Sequence, residues 1–257
     1  MEQNLSIARA NLARIPLRSA LNLLETQDFI LAQDRSLKIC YAPFDHVARK
    51  AKLVVVGITP GMTQAVNAFN AAAAALKKGA SMEAALAEAK LTASFSGGVI
   101  RNNLVRMLDA IGVARHFGVA TTAELFRPGS EQIHFTSALR YPVFVNGENY
   151  NGTPDMLAVP ILRAMVETHL AEETALLPEA LWLPLGPKAE KAVMHLVRMG
   201  KLDGKRVLSG MPHPSGANSE RVNVFGGWKA PEQASRQTNA PALVASFNRL
   251  KTQISTL

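Results

Sequence analysis

Four short apolar runs, separated by longer stretches with helical periodicity, constrain the fold of this chain more than any other feature. The runs cover residues 52–57, 132–139, 180–186 and 205–210. Each is bounded by turn residues, so we interpret them as strands. Apolar side chains recur at helical spacing in residues 102–113, 154–171 and 187–199. Strands that alternate with helices predict an α/β fold, a three-layer α/β/α sandwich around a central, mostly parallel four-stranded sheet.

An alanine-rich stretch at residues 66–92 follows the first of these strands. It has strong helical propensity and is interrupted at Gly79 and Ala80, after which Ser81 is suited to cap a second helix. We therefore predict a helical hairpin inserted after the first strand.

Charge and cysteine content narrow the class of protein. The net charge of +8 and the sequence pI near 9.8 favour an anionic partner such as nucleic acid. The single cysteine, Cys40, excludes an internal disulfide and a cysteine-based metal centre, which favours a cytoplasmic protein. No apolar stretch approaches the roughly 20 residues that a membrane-spanning helix needs, so we expect no membrane partner.

The chain contains no linker rich in serine or glycine. We expect one domain over residues 1–257, acting as a monomer, with a helical segment at about residues 1–30. This segment is amphipathic and carries Arg9, Arg14 and Arg18, a pattern that fits an ordinary surface helix better than a transit peptide.

Polar, glycine-rich turns follow the predicted strands, and ligands of parallel sheets bind at these carboxyl ends. The first turn reads "GITPG" from Gly57 to Gly61. Its glycines permit tight backbone geometry, Pro60 stiffens it, and its backbone N–H groups are suited to face an anion.

The turn after the fourth run carries more chemistry. His213 lies between two prolines, Ser215 and Gly216 follow, and Arg221 comes shortly after. Prolines restrict the backbone on both sides of the imidazole, and a catalytic hydrogen-bond donor needs such preorganisation. The imidazole, hydroxyl and guanidinium together predict a phosphate-binding turn.

The two turns together resemble the paired motifs of the uracil-DNA glycosylase superfamily. In that family the first motif reads Gly-x-Asp/Asn-Pro-Tyr/Gly and the second reads His-Pro-Ser, similar to "GITPG" and "HPSGANSER" here. Between them, "SFSGGVIRNNLVRMLDAIGV", "HFTSALRYP" and "LWLPLGPKAEKAV" resemble further family segments in the correct order. The resemblance runs from about Ala51 to Gly227.

The resemblance implies base excision by flipping, without metal or cofactor. Such an enzyme extrudes a nucleotide into a pocket and cleaves the bond between base and sugar. It implies that His213 donates a hydrogen bond to the departing base and that Phe95 stacks on it, although Phe95 also fits a core residue. The other residues to which it gives a role are Gly57, Ile58, Thr59, Pro60, Gly61 and Ser137 around the base, and Ser215, Gly216, Ala217, Asn218 and Arg221 along the DNA.

Thr59 departs from the family pattern. It stands where the family keeps an aspartate or asparagine that positions or activates water, and a threonine hydroxyl can orient water but cannot act as a general base near neutral pH. Asp45, Glu148 and Asp155 are alternatives for that role.

Two further departures concern the substrate. Ser137 replaces an asparagine that reads uracil, and serine cannot make the paired amide contact, so another deaminated base is an alternative substrate. Ala217 replaces a bulky residue that wedges into the duplex, which favours mismatched or single-stranded DNA. The predicted hairpin at residues 66–92 is an alternative wedge, a lid, or a block to DNA.

Two other functions remain open. A protein of the same fold can bind nucleic acid or a nucleotide without cleaving it. An α/β enzyme that acts on a small phosphorylated compound would use the same turns as anion sites.

Overall fold

The structure is a computed structural model that describes residues 1–12, 24–95, 98–127 and 130–257. The predicted helix around Arg14 and Arg18 lies partly outside these residues, as do Ser96 and Gly97 of the predicted phenylalanine segment. The chain divides into two compact units. Unit 1 comprises Met1–Arg49, Gly57–Ser94 and Phe135–Leu176, and unit 2 comprises Lys50–Val56, Phe95–His134 and Leu177–Leu257. The single domain over residues 1–257 stays a prediction.

The described residues form seven strands: β1 (Ile30–Asp34), β2 (Leu37–Cys40), β3 (Leu53–Gly57), β4 (Ile133–Ser137), β5 (Val143–Val145), β6 (Glu148–Asn149) and β7 (Leu181–Pro184). The helices are α1 (Glu2–Asn11), α2 (Met62–Lys77), α3 (Met82–Ala93), α4 (Gly98–Ala110), α5 (Val113–His116), α6 (Pro160–Met165), α7 (Ala171–Leu176), α8 (Pro187–Arg198), α9 (Ser219–Phe225) and α10 (Ala240–Ser255). A π-helical turn at Val166–Leu170 joins α6 to α7.

The parallel sheet has three strands in the order β4-β3-β7. All five residues of β3 are buried, which explains why that strand has no polar alternation. The fourth predicted strand, at residues 205–210, is not present as a strand. The Asp203 carboxylate accepts a hydrogen bond from the Lys205 N–H and folds Gly204–Arg206 into a 3-10 turn, so only isolated parallel bridges from Val207 and Met211 reach the β7 edge.

Unit 1 contains a second, antiparallel sheet in the order β1-β2-β5-β6 that the sequence analysis did not predict. The helical segment predicted at about residues 1–30 includes residues 13–23, which lie outside the described residues, and stays a prediction there. Helix α1 ends at Asn11, a 3-10 turn covers Gln27–Phe29, and β1 begins at Ile30.

The predicted helical hairpin is confirmed as α2 and α3. Its turn uses Gly79 in the left-handed region (φ 83°), and the Ser81 hydroxyl accepts a hydrogen bond from the Ala84 N–H at 3.2 Å. Helix α2 begins at Met62, four residues before the predicted start, directly after the first motif. Buried alanines line one side of both helices, so the hairpin is a packed element of unit 1.

The other predicted helices are present with shifted boundaries. Helix α8 matches residues 187–199 closely, and α4 begins four residues before the predicted start at 102. The segment predicted from 154 becomes helical only at Pro160, because a proline restrains the residue before it to an extended conformation and Val159 adopts one.

Candidate functional site

The predicted site residues fall into two groups, one in each unit. Unit 1 contains Gly57, Ile58, Thr59, Pro60, Gly61 and Ser137. Unit 2 contains Phe95, His213, Ser215, Gly216, Ala217, Asn218 and Arg221.

The first motif in unit 1 begins as a continuation of strand pairing. The carbonyl oxygens of Gly57 and Ile58 accept hydrogen bonds from the N–H groups of Ala138 and Leu139, at 2.8 and 2.9 Å. Ser137, the last residue of β4, is therefore held beside Gly57 and keeps its side chain partly exposed. The structure thus brings Ser137 and the first motif together.

The Thr59 hydroxyl is used by the backbone of unit 1. Its Oγ1 donates a hydrogen bond to the Tyr141 carbonyl oxygen at 3.0 Å and accepts one from the Val143 N–H at 3.2 Å. A hydroxyl has one proton and two lone pairs, so a single acceptor site is left for water. Thr59 therefore ties the motif to the segment that leads into β5.

The last residue of the motif starts helix α2, and its first amides are occupied. The Gly61 N–H donates to the Gln64 side-chain oxygen at 3.0 Å, and the Met62 N–H donates to Oδ1 of Asn149 at 2.8 Å. These two N–H groups are not available to an anion, and the anion-binding role of the other N–H groups of the turn stays a prediction. A Cβ on Gly61 would lie at an ordinary contact distance of 3.4 Å from the Asn149 amide, so Asn149 lies directly beside the end of the motif. No motif or spacing in the sequence indicated Asn149 as a partner of this turn.

Asp45, one of the alternatives for activating water, is saturated with hydrogen bonds. Its carboxylate accepts from the Arg9 guanidinium, from the Tyr41 hydroxyl at 2.9 Å and from the Tyr141 hydroxyl at 2.6 Å, with its side chain only 8% exposed. Burial, followed by the charge of Asp45, raises the pKa of both tyrosines well above the ordinary range. Asp45 therefore organises unit 1 and is poorly placed to deprotonate a water.

Asp155 and Glu148, the other two alternatives for activating water, have different surroundings from Asp45. Oδ1 of Asp155 accepts a hydrogen bond from the Leu157 N–H at 3.1 Å, which forms the turn before α6. Glu148 lies exposed in the short strand β6.

Unit 1 also contains a buried ionic cluster that was not predicted from the sequence. Glu173, which is fully buried, pairs with Arg140 at 2.9 Å and with Lys90 at 3.8 Å. The Lys90 ammonium also donates to the His46 carbonyl oxygen at 2.7 Å, and burial lowers its pKa to about 8. These contacts fix helix α3 and favour a fixed hairpin over a moving lid.

The second motif in unit 2 presents His213 in a defined tautomer. The Ser215 N–H donates to Nδ1 of His213 at 3.2 Å. A backbone N–H can only donate, so Nδ1 is the acceptor and the neutral ring carries its proton on Nε2. Burial lowers the pKa of His213, which favours this neutral form. Gly186 lies next to His213, because a Cβ added to Gly186 would be 3.5 Å from the Cβ of His213.

Hydrogen bonds between side chains link Ser215 of this motif to the Arg221 guanidinium. The Asn218 amide donates to the Ser215 hydroxyl at 3.0 Å, and the Arg221 guanidinium donates to the Asn218 oxygen at 2.8 Å. Gly216 and Ala217 are exposed in the 3-10 turn between them, and Arg221 is exposed on α9. The structure thus brings the predicted DNA-contacting residues together on one surface of unit 2.

Phe95 lies between α3 and α4 with a strained backbone. The residue is 7% exposed, and its φ of 48° is in the left-handed region that a bulky residue rarely adopts. Such strain costs roughly 1–3 kcal/mol and is concentrated at functional sites in proteins. The stacking role of Phe95 stays a prediction.

The part of the chain that the structure describes contains neither a metal-binding cluster nor a membrane-spanning helix. Within those residues, no cluster of three or more His, Cys, Asp or Glu side chains is arranged to hold a metal ion. No helix among the described residues is long and apolar enough to cross a membrane.

Known proteins resemble this chain over most of its length. A family model described as the uracil DNA glycosylase superfamily matches residues 44–236, a range that contains every predicted site residue. A protein of Bacillus subtilis, named the uncharacterized protein YoxB, is 38% identical over 227 residues, which cover 87% of this chain and 88% of that protein. No solved structure gives a significant match.

Proposed function

This chain belongs to the uracil DNA glycosylase superfamily, and from that premise we propose that it is a DNA glycosylase. It extrudes a deaminated base from DNA and hydrolyses the bond between that base and its sugar, the first step of base excision repair. The family acts on DNA, and the net charge of +8 favours such an anionic partner.

The hydrogen bond from the Ser215 N–H to Nδ1 of His213 carries this proposal. It leaves the Nε2 proton as a donor for the carbonyl oxygen of the departing base, where negative charge develops as the bond breaks. A preorganised donor of this kind contributes about 3–4 kcal/mol to stabilising a transition state. The lowered pKa of His213 keeps the ring in the required neutral form at neutral pH.

Thr59 has a limited role in this reaction. Its proton is committed to the Tyr141 carbonyl, so it accepts a hydrogen bond from the attacking water and orients it without deprotonating it. The bond to the base therefore breaks ahead of water attack, its electron pair leaves with the base, and stabilisation of that leaving group sets the rate. After the water has bonded to the sugar carbon, its proton passes to the departed base anion, which is released as the neutral base.

The second motif supplies the contacts to DNA. The Ser215 hydroxyl and the backbone of Gly216 contact phosphates beside the extruded nucleotide, and Arg221 adds positive charge. Asn218 holds both side chains through its amide, at 3.0 and 2.8 Å. Since Ser137 offers a single donor, we propose a choice among deaminated bases that is broader than uracil alone.

A non-catalytic DNA-binding protein of the same fold is the second candidate. The observation that favours it is the commitment of both Thr59 and Asp45 to protein hydrogen bonds, since neither acts as a general base in this arrangement.

Incubation with oligonucleotides that carry uracil, hypoxanthine or xanthine, single-stranded and double-stranded, separates the two candidates. A glycosylase leaves abasic sites that alkali cleaves, with at least one of these bases. DNA affinity that weakens with salt, without abasic sites from any base in either strand form, would replace the first candidate with the second.

A further inference from the structure

Val99, in the first turn of α4, is a conspicuous apolar side chain on the surface of unit 2. It is 59% exposed, the highest value among the large hydrophobic side chains that the structure describes. Single exposed apolar residues are common on proteins, so the exposure gains meaning only from the surroundings of the side chain.

One face of α4 runs along the second motif and the segment that follows it. The Asn103 amide donates to the Pro214 carbonyl oxygen at 3.0 Å, and the Arg106 guanidinium stacks at 3.8 Å from the centre of the Trp228 ring. Residues 99, 103 and 106 are spaced by four and three positions, so they share this face over about 10 Å of helix. Val99 is therefore held on a rigid element against the motif.

The neighbour of Val99 is the exposed turn of the motif. A Cβ added to Gly216 would lie 3.8 Å from Cγ1 of Val99, so the Val99 side chain faces the space in front of this glycine. Ala217, the next residue, is exposed and offers only a methyl group. The isopropyl group of Val99 on α4 thus lies beside the exposed turn, whose own side chain at Ala217 is too small to fill a gap between stacked bases.

We propose that Val99 is the wedge that enters the DNA duplex at the position vacated by the extruded base. Apolar side chains that unstack a base step perform this task in other DNA-bending proteins. Two exposed arginines belong to the helices next to this turn, Arg106 on α4 and Arg221 on α9, and their positive charge favours a bound duplex. The proposal rests on the proposed function, because it assumes that DNA binds across the second motif.

The test measures base unstacking separately from excision. The DNA duplex contains 2-aminopurine next to a uracil, and the fluorescence of 2-aminopurine rises when it unstacks. The labelled strand without its complement serves as the comparison. Wild-type protein raises the duplex signal, Val99→Ala reduces that rise, and Val99→Leu increases it. With any base that is excised, Val99→Ala lowers the ratio of duplex to single-strand rates by about tenfold, since two methyl groups leave the stack.

Met199→Ala is the matched control, because Met199 is a 41% exposed hydrophobic side chain in the same unit, just after α8. Thermal unfolding of Val99→Ala checks that the variant is folded. An unchanged ratio and an unchanged fluorescence rise in Val99→Ala overturn the wedge while leaving excision intact. If unstacking depends on Val99 but no base is excised, the proposed function is overturned and the wedge role of Val99 is supported. If the wild-type protein does not raise the duplex fluorescence, the wedge role is overturned.

Discussion

Replacement of Thr59 by valine tests whether this residue is a structural tether. Valine has the same shape without the hydroxyl, so the change removes the hydrogen bonds to the Tyr141 carbonyl at 3.0 Å and from the Val143 N–H at 3.2 Å. A neutral hydrogen bond contributes about 0.5–1.5 kcal/mol, so the two together predict a loss of about 2 kcal/mol in the free energy of unfolding. Thr59→Ser keeps the hydroxyl and is the matched control.

Urea unfolding followed by far-ultraviolet circular dichroism measures this loss as a shift in midpoint at constant slope. We expect Thr59→Val to unfold at lower urea and Thr59→Ser to stay within about 1 kcal/mol of wild type, because only a methyl group is lost. Equal stability of valine variant and wild type, or equal losses in both variants, would refute the tether.

Three other changes have expected outcomes. Arg140→Leu leaves the buried Glu173 carboxylate with a distant lysine at 3.8 Å, so we expect a loss of about 3–5 kcal/mol in urea unfolding. Burial lowers the pKa of three histidines below the ordinary value of 6.5, namely His46, His169 and His213. The unfolded state then binds more protons below about pH 6.5, so the free energy of unfolding should fall as the pH falls through the lowered values, and flat stability between pH 7 and 5 would contradict this. Gly226→Ala puts a Cβ into the ring of Trp228, so we expect the indole to leave its guanidinium partner, with a red shift in tryptophan emission and a loss of about 1 kcal/mol.

The elements with strong local patterns were predictable from the sequence. β3, β4 and β7 are apolar runs with buried residues, and the α2–α3 hairpin follows from alanine propensity and the Ser81 cap. The antiparallel sheet was missed because its strands are two to five residues long and most contain polar residues, so they form neither a continuous apolar run like β3 nor a clear alternation. Residues 205–210 were assigned wrongly because the Asp203 cap winds their start into a turn.

The candidate site was predictable in its residue types and not in its contacts. Prolines on both sides of His213 indicated a fixed ring, but only coordinates show that Ser215 binds Nδ1 and leaves Nε2 as the donor. The partners of the first motif lie far along the chain, since Thr59 and Met62 bond to segments 82 and 87 residues away. A single sequence contains no signal for pairs at that distance.

The single-turnover excision rate of His213→Ala tests the central claim most directly. It is measured with saturating protein on whichever base the wild type removes. The account predicts a fall of roughly a hundredfold, because the Nε2 donor to the leaving base is lost. His116→Ala, which removes an exposed histidine of the same unit, should match wild type. A His213→Ala rate within about threefold of wild type would contradict the role of this imidazole as the donor that stabilises the departing base.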